Sequence, residues 1–159
     1  MGTLNSYFSL TKPRVVILLQ ITALCSVLSH DLIGDSGVSI ETLKTMSIVM
    51  IGGYLTAGGA NAINMWYDRD IDPIMTRTSN RPLSTGEIEA NSALVFGILM
   101  SIGGTIWFSL FTNYVATFWA VFSILFYVLI YSMFLKRKTP QNIVVGGIAG
   151  STPPLIGWA

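Results

Sequence analysis

The sequence predicts an all-α integral membrane protein, a multi-helix transmembrane bundle, and three observations predict it. Only 11% of the 159 residues are charged while 52% are hydrophobic, and the mean hydropathy is +0.62. A soluble domain carries about 25% charged residues. The charges fall in clusters, and the stretches between them are apolar over about the 20 residues that a helix needs to cross the hydrocarbon core. The runs are solidly apolar rather than alternating, which excludes a membrane β-barrel. A net charge of +1 gives no basic field for nucleic acid.

The first apolar run covers residues 15–33. Lys12 and Arg14 before it resemble the start of a signal peptide, but no Ala-x-Ala-like site follows, so it reads as a retained helix. Its Cys25 is the sole cysteine, which rules out a disulfide within the chain, and Leu24 before it argues against a lipoprotein. His30, at the far end, reads as a loop histidine rather than a haem ligand. The second run covers 43–65, the third 92–111 and the fourth 114–134. The fifth begins near Gln141 and is still apolar at Ala159, which leads us to expect an N-terminal fragment: four complete helices and the start of a fifth. Pro153-Pro154 should break or kink that fifth helix. Small residues four apart, namely Gly53 with Ala57, Gly97 with Ser101 and Gly146 with Gly150, read as helix-packing positions.

The loops alternate in charge. Eight of the nine basic residues lie before the first run, between the second and third, or after the fourth. The other side holds Lys44 with Asp31, Asp35 and Glu41. The positive-inside rule therefore puts the N-terminus and the Asp/Arg loop in the cytoplasm.

Chemistry concentrates in residues 61–86, NAINMWYDRDIDPIMTRTSNRPLSTG. Asn64, Asp68 and Asp72 fall at i, i+4 and i+8, one face of a helix if the second run continues to Pro73, with Asp70 pointing elsewhere. Two carboxylates at a helix C-terminus repel each other and oppose the dipole. The arrangement makes sense at a solvent-accessible helix end if a divalent cation sits between them. Oxygen-only ligands favour a hard ion such as Mg²⁺, which binds through one or two carboxylates plus substrate phosphates. Arg69, Arg77 and Arg81 lie close in sequence, and guanidinium forks suit phosphate oxygens. Carboxylates, metal and arginines beside a membrane fit a polyprenyl diphosphate, whose tail belongs in lipid. An ion transporter is the other class considered, and the membrane-end location and the arginines argue against it.

At these residues the chain resembles the UbiA family of membrane prenyltransferases, whose first aspartate-rich motif matches Asn64, Asp68 and Asp72. The strings NMWYDRDID, Met75-x-Arg77-Thr78 and Arg81-Pro82-Leu83 resemble the branch that farnesylates haem. So do Thr11-Lys12-Pro13-Arg14, Tyr131-Ser132, Leu135-Lys136-Arg137, TPQNIVVGGIAG and PPLIGWA. The resemblance implies one membrane domain around a central cavity, with a second aspartate-rich motif on a later helix. It implies transfer of a farnesyl group from farnesyl diphosphate to a vinyl group of haem B, giving haem O and diphosphate. A quinone precursor or chlorophyllide is the alternative acceptor. Asp68 and Asp72 would hold Mg²⁺, with Asn64 a neutral ligand or orienter. Arg69, Arg77 and Arg81, with Lys12, Arg14, Lys136 and Arg137, would neutralise the diphosphate. Tyr131 is the first candidate to shelter an allylic cation, with Tyr127 the second. Trp66 and Tyr67 carry the same two readings, cation shelter or interfacial anchor. Implied partners are the lipid bilayer of the cell membrane, and haem A synthase or terminal-oxidase assembly proteins.

Overall fold

A computed structural model of the chain describes residues 3–34 and 37–159; Asp35 of the acidic loop, and Ser36, lie outside the described residues. Every regular element among the described residues is helical. A short α1 (Thr3–Leu10) precedes α2 (Pro13–Ile33), α3 (Ile40–Tyr67) and α4 (Ala90–Phe111). Next, α5 (Tyr114–Leu125) runs directly into a π-helical segment (Phe126–Leu135), and α6 (Asn142–Trp158) follows. Four spans, counting α5 and its π segment as one, are long and apolar enough to cross a membrane. By that measure this is a multi-pass membrane protein. The predicted runs coincide with these helices, while α1 has no counterpart among them.

Start signals are local. Pro13 opens α2, where its missing N–H costs nothing. Asn113 caps α5, accepting from the Val115 and Ala116 amides at 2.9 Å each. Ser39 precedes α3, and its amide donates to Thr42 Oγ1 at 3.0 Å.

The central helix is α3. Its 28 residues span about 42 Å, more than the ~30 Å hydrocarbon core. Residues 58–65 are all buried, whereas only a minority of the residues in α2 and α4 are, as in lipid-facing helices. Small residues allow α4 to lie close along it: a Cβ on Gly59 would stand 2.7 Å from the Gly97 carbonyl and 2.5 Å from Ser101 Oγ. The Gly97/Ser101 pair thus packs as expected. Gly146 likewise takes the Tyr131 ring, but Gly150 meets nothing within 4 Å. Apolar clusters hold both ends: Leu10, Ala62, Met65, Ile88 and Ala93 at one, and Ala23, Val27, Val49, Phe108 and Ile156 among others at the opposite one.

Two backbone features differ from expectation. The helix is not broken at Pro153-Pro154. Pro153 cannot donate to the Ala149 carbonyl, but Thr152 Oγ1 does so at 2.8 Å, and Ser26 Oγ ties the Pro154 carbonyl to α2 at 2.7 Å. Neighbouring hydroxyls of this kind let a membrane helix carry proline. The fourth run, in turn, widens over its last ten residues into π geometry, with the Lys136 amide bonded to the Tyr131 carbonyl five residues back at 2.9 Å. Single π turns often mark functional sites, and this longer stretch borders the buried carboxylates.

Candidate active site

The regular part of α3 ends at Tyr67, short of Pro73; the chain continues as a turn over 68–71, and the 3₁₀ segment Asp72–Ile74 carries the proline. Register survives the turn. The Asp68 amide bonds the Asn64 carbonyl at 3.0 Å, and the Asp72 amide bonds the Asp68 carbonyl at 2.9 Å. Asn64, Asp68 and Asp72 therefore stay together. They do not face open water: Asp68 is fully buried, and Asn64 and Asp72 are each 2% exposed. The expected solvent-accessible helix end is a buried polar cluster, because Lys12, the loop that carries Arg81, and Ser132 and Lys136 from the π segment and its end pack against it.

Three cations from three parts of the chain meet the three motif residues. Lys136, just past the π segment, donates to Asp68 Oδ2. Arg81 donates to Asp72 Oδ2 at 2.6 Å. Lys12 donates to Asn64 Oδ1 at 2.7 Å. Lys12 reaches inward because its backbone adopts a left-handed conformation (φ 52°) between α1 and α2. Burial, reinforced by Arg81 and Lys136 and opposed by Asp68 and Asp72, lowers its pKa to about 7. Arg81 is brought in by a folded loop in which Thr78 Oγ1 donates to the Asp72 carbonyl at 2.8 Å.

The Asn64 carboxamide is fixed from both ends. Ser132 Oγ spends its proton on the Tyr127 carbonyl at 2.8 Å, so toward Asn64 Nδ2 (2.9 Å) it can only accept. Oδ1 is thereby turned toward Lys12 and the carboxylates. One buried acceptor, Asp68 Oδ1, has no partner. Among the described residues no group of three or more His, Cys, Asp or Glu side chains could enclose a metal unaided. Two carboxylates, one of them with an orphaned oxygen, and a carboxamide oxygen are the donor set that a partly hydrated Mg²⁺ shared with a substrate phosphate uses, so the residues fit that ion.

A cavity of about 270 Å³ lies inside the bundle beside this cluster, lined by Val15, Gln20, Asn61, Tyr127, Tyr131 and Pro153 among others. Asn61 sits one turn before Asn64 and receives the Tyr127 hydroxyl at 3.3 Å. Tyr127 and Tyr131 stack with ring centroids 5.3 Å apart. The site is thus charged at one end and apolar and aromatic below.

Comparison with known proteins identifies the family. The UbiA prenyltransferase family matches residues 16–159. The chain belongs to that family. Similar relatives include proteins named protoheme IX farnesyltransferase from Streptomyces coelicolor (46% identical, over 98% of this chain and 47% of the relative), Bartonella henselae (44%, over 96% and 47%) and Parvibaculum lavamentivorans (42%, over 100% and 48%). The chain spans about half the length of the curated relatives it matches. No solved structure matches it.

Within this UbiA chain the remaining predicted residues lie apart. Arg69 is exposed and folds back on Trp66, 4.6 Å above its ring. Arg77 and Arg14 are exposed. Arg137 binds Asp70 through both nitrogens at 2.8 and 2.7 Å and covers Tyr67. Sequence reasoning missed Ser132, Asn61, Thr78 and Gln20. Asn61 and Gln20 carried a signal, as amides in apolar runs; Ser132 and Thr78 stood only within the strings that carry the resemblance, with no role attached.

Proposed function

We propose that the chain is the N-terminal part of a single prenyltransferase domain that transfers a farnesyl group from farnesyl diphosphate to a vinyl group of haem B, giving haem O and diphosphate. The observation that carries the reading is the meeting of buried Asp68 and Asp72 with Lys12, Arg81 and Lys136, with an apolar cavity beginning at Asn61, one helical turn before Asn64. An amphipathic diphosphate matches both halves. Family membership and the printed name of the relatives support this chemistry and this acceptor.

Asp68 and Asp72, with Asn64 Oδ1, would hold Mg²⁺, which when bound supplies positive charge to the leaving diphosphate. Arg81, Lys136 and Lys12 add charge where it accumulates as the carbon–oxygen bond breaks, the kind of electrostatic term that usually dominates. The chain excludes water by burying the cluster. Tyr131, stacked on Tyr127 and held under Gly146, offers a ring face to the allylic cation. The vinyl group attacks that cation, and a water then adds to the new cation and loses a proton. The positive-inside rule supports reading the cluster as lying at the cytoplasmic face of the cell membrane. In a Cys25→Ala background, a cysteine at Ser79 should react only with cytoplasmic reagent and one at Val38 only with external reagent.

The test of the acceptor is to give full-length protein farnesyl diphosphate with haem B, and separately with 4-hydroxybenzoate. Mass spectrometry should find a farnesyl-plus-water adduct on haem and none on the benzoate. Prenylated benzoate without a haem adduct would reject the haem reading and leave the prenyltransferase site standing.

A further inference from the structure

Gln20 is the eighth residue of α2, a lone amide within the apolar stretch VVILLQI. A polar group at membrane depth is costly unless it is bonded, and marks function by default. Gln20 is half satisfied. Its Nε2 donates to the Met50 carbonyl of α3 at 2.8 Å, while Oε1 is buried without a partner. The side chain thus bridges α2 and α3 and rests on Gly53, where a Cβ would stand 2.8 Å from Nε2. Gln20 and Gly53 both line the cavity.

Position along α3 gives this bridge a meaning. The cavity runs from Asn61, next to the charged cluster, to Val49. Gly53 lies about 12 Å below Asn61 and about 6 Å above Val49, at 1.5 Å per residue. Past the bridge the lining is Ala23, Val49, Phe108 and Ile156, wholly apolar. The Gln20 amide therefore sits in the α2–α3 wall of the cavity, between a longer upper stretch and a shorter lower one.

We infer that Gln20 sets the length of prenyl chain that the cavity accepts. The inference rests on the prenyl diphosphate reading of the cluster. Charge fixes the diphosphate at Asp68, Asp72 and the three cations, so the chain must run down the slot from Asn61. A C15 chain ends near the level of the bridge. A C20 chain must push its last unit past it, which breaks the bond to Met50 and leaves an amide with both ends unmet. A C10 chain leaves the upper slot part-filled and gives up apolar burial. The bridge discriminates on the long side and the slot on the short side.

The test uses detergent-solubilised full-length protein and measures binding of C10, C15 and C20 prenyl thiodiphosphates, a readout independent of turnover. Wild type should bind C15 about tenfold tighter than C20, the scale on which apolar pockets discriminate. Gln20→Ala removes the amide and should bring C20 within about threefold of C15. Gly53→Ala pushes the amide into the slot and should weaken C15 about tenfold while changing C10 by less than about threefold. The two substitutions act on opposite sides of one contact, so either suffices if the other fails to fold. Length preferences unchanged within about twofold in the folded variants overturn the inference. Wild type that binds no prenyl thiodiphosphate at all rejects instead the reading on which it rests.

Discussion

The basic residues near the aspartates divide into two sets that sequence position does not separate. Arg81, Lys136 and Lys12 come from three different segments, yet each meets a buried motif residue. Arg69 adjoins Asp68 in the chain and Arg137 adjoins Lys136, yet Arg69 lies on Trp66 and Arg137 on the exposed Asp70. Adjacency along a turn sends neighbours to opposite sides, so the nearest cation in sequence is the wrong partner. Burial then separates the sets energetically. An exposed pair is screened and contributes little, whereas removing one member of a buried pair strands a charge.

The largest effect should come from the carboxylates. Asp68→Asn keeps the shape and an acceptor for Lys136 but removes the charge. Mg²⁺-dependent turnover of the full-length protein should fall by at least about a hundredfold, with an unchanged circular dichroism spectrum. Near-normal turnover in folded protein would remove Asp68 from the chemistry.

Next come the cations. Lys136→Met and Arg81→Met should each lower kcat/KM for the prenyl diphosphate about thirtyfold or more, and Arg69→Met and Arg77→Met by less than about threefold. Equal losses in both sets would erase the contrast and point to a loop that rearranges on binding. Ser132→Ala should cost about five- to tenfold by freeing the Asn64 carboxamide to flip, and cost nothing further in an Asn64→Ala background. Additive losses would mean that Ser132 acts by another route.

Lys12 gives the pH dependence. Its folded pKa of about 7 lies below the ordinary lysine value, so the unfolded chain keeps the proton to higher pH. Stability therefore rises with pH from about 7 toward the unfolded value near 10.4. Ligand binding runs the opposite way. A diphosphate favours the ammonium form, so its affinity should fall as pH rises above about 7. Lys12→Met should flatten both trends, and a slope that survives the substitution assigns it to another group.

The same contrast explains what the sequence could and could not reveal. Charge is so scarce in this chain that the four spans and the 68–81 loop stand out by composition alone. Asn64, Asp68 and Asp72 were legible because their spacing is a backbone property that persists through a 3₁₀ turn. Which cation meets which carboxylate was not legible. It depends on the left-handed Lys12, on the wider π turns that carry Ser132 and Lys136 inward, and on the loop folded by Thr78. None of these has a sequence period. The eight residues of α1 are too few for a helical period to show. Pro153 looked like a helix break because the compensating hydroxyl of Thr152 acts through geometry rather than composition.

The smallest effect belongs to Asp70, which lies two residues from the buried Asp68 and has the same side chain. Its pKa is lowered by the two hydrogen bonds from Arg137. A lowered carboxylate contributes stability above its unfolded value and loses it as pH falls through the folded one, which puts the window below about pH 4. At neutral pH Asp70→Asn therefore removes only a screened surface attraction, and Arg137 keeps its contacts with the Tyr67 carbonyl and ring. Turnover and KM should stay within about twofold of wild type. A loss approaching that of Asp68→Asn would show that Arg137 does not simply clasp the outer face of the turn. It would mean that the exposed pair holds the 68–72 turn in the register that Asp72 needs, and the line between the two sets of charges would have to be drawn outside Asp70.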